Sequence, residues 1–227
     1  MPAFHRSVAR PISRATALAL LCLAPTLSWA ETPASPRQAF EARMADPAAT
    51  PSDRMEAVCA LAEVADGDSV LPVMALLEQD LVDRHGFWAC AIPLLGQLND
   101  RRAAPLLRQI GDLKQDHLAG MDHMAIDALA AMAMPEDAVW LADKAHILPV
   151  RDSVFHALAR VGDKRVIDVL VSGLSDGETA KTVAAATAGL IRIGAPVLAA
   201  FEQAQTHPDP VLQERMEDIA AAIRQAQ

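Results

Sequence analysis

The chain has 227 residues, of which 52% are apolar, 22% charged and 4% aromatic, with fifteen prolines and no tyrosine. This composition excludes wholesale disorder and a proline-rich or collagen-like fibre, and it suits one domain or two small ones. A formal net charge of −9 excludes a surface built to attract phosphate backbones or anionic lipid.

Residues 1–30 read as a cleavable secretory signal. Arg6, Arg10 and Arg14 form a positive start with no acid before Glu31, Ala15 to Leu23 is apolar, and Pro25 breaks that run. Ser28-Trp29-Ala30 then places small residues at the −3 and −1 positions of a cut after Ala30. The apolar run is well short of the roughly 20 residues that span a bilayer. The expected location is therefore periplasmic or secreted, with no stable membrane insertion after cleavage. There the remaining cysteines, Cys59 and Cys90, either form one disulfide or stay as two buried thiols. Residues 31–52 form an N-terminal extension and linker, with a short helix over Pro36 to Ala45 and a helix cap expected at Ser52 or Asp53.

From residue 53 to 207 the chain repeats itself. Leu61, Leu95, Leu129, Leu158 and Leu190 are each flanked by small or apolar residues and stand 34, 34, 29 and 32 residues apart. Each segment is followed by a break, among them Asp66-Gly67-Asp68, Asn99-Asp100 and Gly162-Asp163, and then by a second apolar stretch. Apolar residues at i, i+3 and i+4 give each first segment a helical stripe. Glycine or asparagine ends it, and an aspartate (Asp68, Asp100 or Asp163) is expected to cap the next helix. A lone hairpin of this kind cannot bury its apolar faces, so neighbours must stack. Residues 208–227, with Val211, Leu212, Met216, Ile219 and Ile223 in helical register, read as a C-terminal capping helix.

Leu158-Ala159-Arg160-Val161-Gly162-Asp163-Lys164-Arg165-Val166-Ile167-Asp168-Val169-Leu170 resembles a HEAT repeat of the bilin-lyase-like subtype. Leu95 to Leu107 is nearly as similar. The resemblance covers about Glu56 to Gln205. The third repeat has Met134-Pro135 where Gly-Asp is usual, and the fifth keeps Gly194 without the aspartate. The fold it implies is an all-α, right-handed α-solenoid of about five helical hairpins with terminal caps. It also implies a protein–protein interaction or scaffold role. HEAT-type di-iron enzymes use His-Glu pairs, which are absent from this sequence. Bilin-lyase activity needs a cytoplasmic pigment protein, out of reach of an exported chain, and the basic groove of HEAT-like DNA glycosylases is incompatible with this acidity.

Three clusters carry candidate chemistry. Gly173-Leu174-Ser175-Asp176-Gly177 matches the G-x-S-x-G nucleophile elbow, with Val166 to Val171 as its strand and Glu202 and His207 completing a triad. The repeat places the same residues at the end of a second helix and its turn. Asp116, His117, Asp122 and His123, with Met121, Met124, Met132 and Met134, offer a copper-type donor set. The plainer assignment has Asp122 capping a helix and the methionines filling core. Phe87, Trp88 and Trp140 are either binding anchors or core, beside His85 and Arg84 in the first two cases, while Glu78, Asp80, Asp83 and Asp143 are expected on a solvated face that suits a basic partner. The balance favours a non-catalytic exported interaction module, with no cofactor and no assigned metal site. Its partner is a protein, and nucleic acid is excluded. The periplasmic copper-binding reading of residues 117–134 and the serine hydrolase reading of residues 173–177 are the alternatives.

Overall fold

The computed structural model describes residues 35–64, 66–83, 86–113, 120–203 and 209–226, and every regular element among these residues is helical. The expected signal, residues 1–30, lies outside the described residues. Among the described residues twelve α-helices follow in order, beginning with α1 Pro36–Ala45, α2 Pro51–Leu61, α3 Val70–Asp83, α4 Trp88–Leu98, α5 Ala104–Gly111 and α6 Met121–Met132. The remaining six are α7 Ala138–Lys144, α8 Arg151–Val161, α9 Ile167–Ser172, α10 Ala180–Ile193, α11 Ala195–Gln203 and α12 Pro210–Gln225.

The first helix occupies the span its sequence predicts, because Ser35 and Gln38 close a reciprocal capping box and Pro36 opens the first turn. The cap of α2 differs from expectation. Thr50 is the N-cap, its hydroxyl accepting from Asp53 N–H at 3.2 Å while the Asp53 carboxylate accepts from Thr50 N–H at 2.9 Å. Ser52 and Asp53 thus lie inside the helix, since Pro51 fits the N1 position and displaces the cap to the residue before it.

The turns repeat a backbone recipe. α4, α6 and α8 end in left-handed residues, Asn99 (φ 51°), Ala133 (φ 48°) and Gly162 (φ 66°). A 3-10 turn then leads into the next helix. Asp100 and Asp163 cap the turns after α4 and α8 by accepting from the N–H two residues on, and Asp66 does the same for the 3-10 turn before α3. Asp66 replaces Asp68 in this role; Asp68 stands within the turn, two residues past the cap, and its own N–H is one of the donors that Asp66 receives. Asp122 caps nothing, because Gly120 (φ 94°) takes the N-cap position of α6 and leaves Asp122 in the first turn.

The five repeat leucines form the spine of the core. Leu61 is 1% exposed, and Leu95, Leu129, Leu158 and Leu190 are 0% exposed. They lie on α2, α4, α6, α8 and α10, and each of these helices packs against the next, with α10 packing in turn on α12. Truncating any one of these leucines to alanine costs about 2–5 kcal/mol. Two crossings are close enough to demand glycine. A Cβ on Gly96 would lie 2.9 Å from Ala128 Cα, and one on Gly189 would lie 2.9 Å from Ala159 Cα. The alanine-rich faces therefore let backbones approach, as the composition suggests.

Cys59 of α2 and Cys90 of α4 are joined in a disulfide whose Cα atoms are 5.2 Å apart, well within bridging range. At the other end α12 buries Leu212, Met216, Ile219 and Ile223. Among the described residues no single helix is long and apolar enough to cross a membrane. The α10–α11 pair passes the same test only in combination and is bent by 108°.

Candidate functional site

A cluster of charged and aromatic side chains lies where α5 meets α7. α5 ends at Gly111, and the indole of Trp140 of α7 packs against that end. A Cβ on Gly111 would meet the indole at 2.7 Å, so the glycine makes room for the ring. The indole Nε1–H donates to Asp112 Oδ2 at 3.2 Å, and Lys144 Nζ donates to Asp112 Oδ1 at 2.6 Å. One turn of helix places Lys144 above the ring it follows, 5.1 Å from the centroid. Burial works against the Lys144 charge, but hydrogen bonds to Asp112 and Asp143 and the charges of both hold the ammonium above the ordinary lysine range.

Beneath this layer Asp137 is fully buried and accepts a hydrogen bond from Arg108 of α5. Its second oxygen, Oδ2, has no partner among the described residues. Burial raises the Asp137 carboxyl above its usual range, and the charge and hydrogen bond of Arg108 counter this only in part. The turn Pro135–Asp137 matches Arg101–Ala103 and Lys164–Val166, and Asp137 stands where those turns bury Ala103 and Val166. Aligning the repeats on that position is the signal that reveals it in the sequence.

Trp140 is thus a half-buried ring with its N–H and flanking charges committed, and it stands beside Val139, which is 50% exposed. Phe87 is core at 2% exposure, and Trp88 is half-buried against it. Arg84 and His85 lie outside the described residues. Of the acids expected on a solvated face, Glu78, Asp83 and Asp143 are exposed. Asp80 is not. It is 1% exposed and accepts from Gly86 N–H at 3.1 Å and Trp88 N–H at 2.9 Å, because α4 has no side-chain cap of its own and borrows an oxygen from α3.

The residues of the nucleophile elbow do not have an elbow's backbone. Residues 164–166 form a 3-10 turn and 167–172 form α9, so helix stands where a strand would have to lead into Ser175. The tight repeat turn dictates this, and the Ser175 carbonyl accepts from Arg215 of α12 at 3.1 Å. Glu202 is exposed on α11, and His207 lies outside the described residues. Among the proposed copper donors, Met121, Met132 and Met134 are buried in the core and Met124 is packed against it. His123 faces Asp122 at 3.9 Å, and Asp116 and His117 lie outside the described residues. No group of three His, Cys, Asp or Glu side chains converges among the described residues.

Two further polar joints escape a reading of the sequence because their partners lie far apart in it. Arg151 grips Glu178 through Nε (2.8 Å) and Nη2 (2.5 Å). Asp152 accepts from Thr182 at 2.6 Å and Thr179 at 2.7 Å, and these hydrogen bonds hold its carboxyl below the usual range. Both joints tie the start of α8 to the start of α10. No protein-family model matches this chain, and no curated protein is significantly similar to it in sequence.

Proposed function

We propose that this chain is a non-catalytic interaction or scaffold module, acting in the periplasm or outside the cell. In this reading it is a right-handed solenoid of about five HEAT-like hairpins, spanning residues 53–207, with α1 and α12 at its ends. The packing of α2, α4, α6, α8, α10 and α12 in succession supports the stacked arrangement. The disulfide supports an oxidising compartment.

The observation that carries the binding role is what the intervening helices leave outside. Leu71 and Val82 of α3 are 56% and 78% exposed and lie three turns apart on one face, and Val139 flanks Trp140 on α7. Glu78, Asp83 and Asp143 are exposed on the same two helices, which suits a partner carrying basic and apolar side chains. Affinity capture of the tagged protein from its native exported fraction tests this reading. We expect a stoichiometric protein partner that is lost when Val82→Asp and Val139→Asp are combined, with helical content unchanged. Absence of a partner, indifference to those substitutions, or bound copper lost with His117→Ala and His123→Ala would overturn it.

A further inference from the structure

A cleft of about 460 Å³ separates one face of α1 from one face of α3. Phe40 and Met44, one turn apart on α1, form one wall, and Pro72 and Leu76, one turn apart on α3, form the other. Arg54 of α2 completes the lining. Its guanidinium makes one hydrogen bond among the described residues, a long 3.4 Å contact from Nη2 to the Asp46 carbonyl. Its Nε–H is buried with no partner among them. The nearest acid in the lining, Glu41, is already engaged by Arg37 at 3.1 Å. A cation set in an apolar cleft with no ion pair among the described residues calls for an anionic group to satisfy it.

We propose that this cleft binds a linear aliphatic carboxylate, with the carboxylate on Arg54 and the hydrocarbon between α1 and α3. The proposal does not rest on the interaction reading, although the cleft borders the exposed face of α3 that carries Leu71 and Val82. A guanidinium pairs with a carboxylate through parallel hydrogen bonds, and the volume lies in the range of small-molecule pockets. The walls favour an alkyl chain over a peptide terminus. A peptide would bring backbone N–H and C=O groups into the cleft, and beyond Arg54 only Glu41 and Gln79 offer polar side chains there.

The test is calorimetric titration of the full chain with decanoate and with decanol, both below their aggregation limits. We expect saturable one-to-one binding of decanoate, with decanol roughly tenfold weaker or worse. Arg54→Gln should bring decanoate down to the level of decanol, while Arg54→Lys keeps a preference for the acid. Ala75→Trp, at an exposed lining position, should abolish binding by filling the cleft without touching the core. The proposal fails if decanoate does not saturate, if decanol binds equally well, or if Ala75→Trp binds decanoate unchanged. The acid–alcohol comparison and Ala75→Trp decide the matter even if Arg54→Gln does not fold.

Discussion

Arg102 donates through Nη2 to the carbonyl of Gly67 at 2.8 Å, 35 residues earlier in the chain, while the same guanidinium holds Asp100 at 2.7 Å. Asp100 in turn caps the turn that carries Arg102. Arg165 repeats the device, holding Asp163 at 2.5 Å and reaching the Pro135 carbonyl at 3.4 Å. One aspartate thus shapes its own turn and aims an arginine at the turn of an earlier segment.

Acid should release this device. The side-chain and backbone hydrogen bonds of Arg102 hold the Asp100 carboxyl down at about 2, and those of Arg165 lower Asp163 in the same way. A depressed folded pKa stabilises above the unfolded value of about 3.9, and that contribution is lost as pH falls through the folded value. Thermal midpoints should therefore decline from about pH 4 towards pH 2. The decline should be shallower in Asp100→Asn combined with Asp163→Asn. A parallel pH profile in the double variant would assign acid sensitivity elsewhere.

Asp137 should behave with the opposite sign. Its carboxyl is raised by burial, so the cost of its charge is relieved as pH falls from neutral through the folded value. Arg108→Met leaves that charge without its partner and should cost about 3 kcal/mol at pH 7, with a smaller loss at pH 4. Arg108→Leu with Asp137→Val, which gives this turn the residue found at Val166, should recover most of the stability. Urea unfolding at the two pH values measures both effects.

Ala133 ends α6 in the left-handed region, where Asn99 and Gly162 end α4 and α8. An L-residue with a Cβ carries about 1–2 kcal/mol of strain there, and glycine gives part of that back in unfolded-chain entropy. Ala133→Gly should therefore stabilise the protein by about 0.5–1 kcal/mol in chemical denaturation. Gly162→Ala should do the reverse, and by more, since its Cβ would also lie 2.8 Å from the Arg192 side chain.

The disulfide closes a sequence separation of 31 residues, for which chain entropy gives about 3–4 kcal/mol of stabilisation. α1 and α2 bury only Phe40, Val58 and Leu61, little for two helices of a stack. Cys59→Ser with Cys90→Ser should lower global stability by that amount and raise hydrogen exchange first in residues 35–64. Uniform exchange changes along the chain would show that the bridge does not act on this end in particular.

Periodic features were legible in the sequence. All five spine leucines are buried, and so are Leu212, Met216, Ile219 and Ile223 of the α12 register, with Val211 half-buried at its start, because burial on one face imposes helical spacing on the residues themselves. Features that depend on distant partners were not. Asp80 looks like any surface acid until the start of α4 is brought against it. Asp137 looks like a helix-start acid until Arg108 is seen beneath it. The pairing of Cys59 with Cys90 awaited the crossing of α2 and α4. Trp140 was legible as a candidate contact, but not the Gly111 shelf or the Asp112 carboxylate that fix its orientation.

Many of the long-range joints end on backbone oxygen. Arg102 reaches Gly67, Arg165 reaches Pro135, Arg160 reaches Ala131 at 2.9 Å, and Arg215 reaches Ser175 at 3.1 Å. Every amino acid supplies a carbonyl, so the receiving side chain is not selected by the joint. The receiving residue can therefore change its side chain without breaking the joint, while each arginine is held fixed. A deep mutational scan should find that asymmetry, with intolerance at the donor arginine and latitude at the residue it grasps.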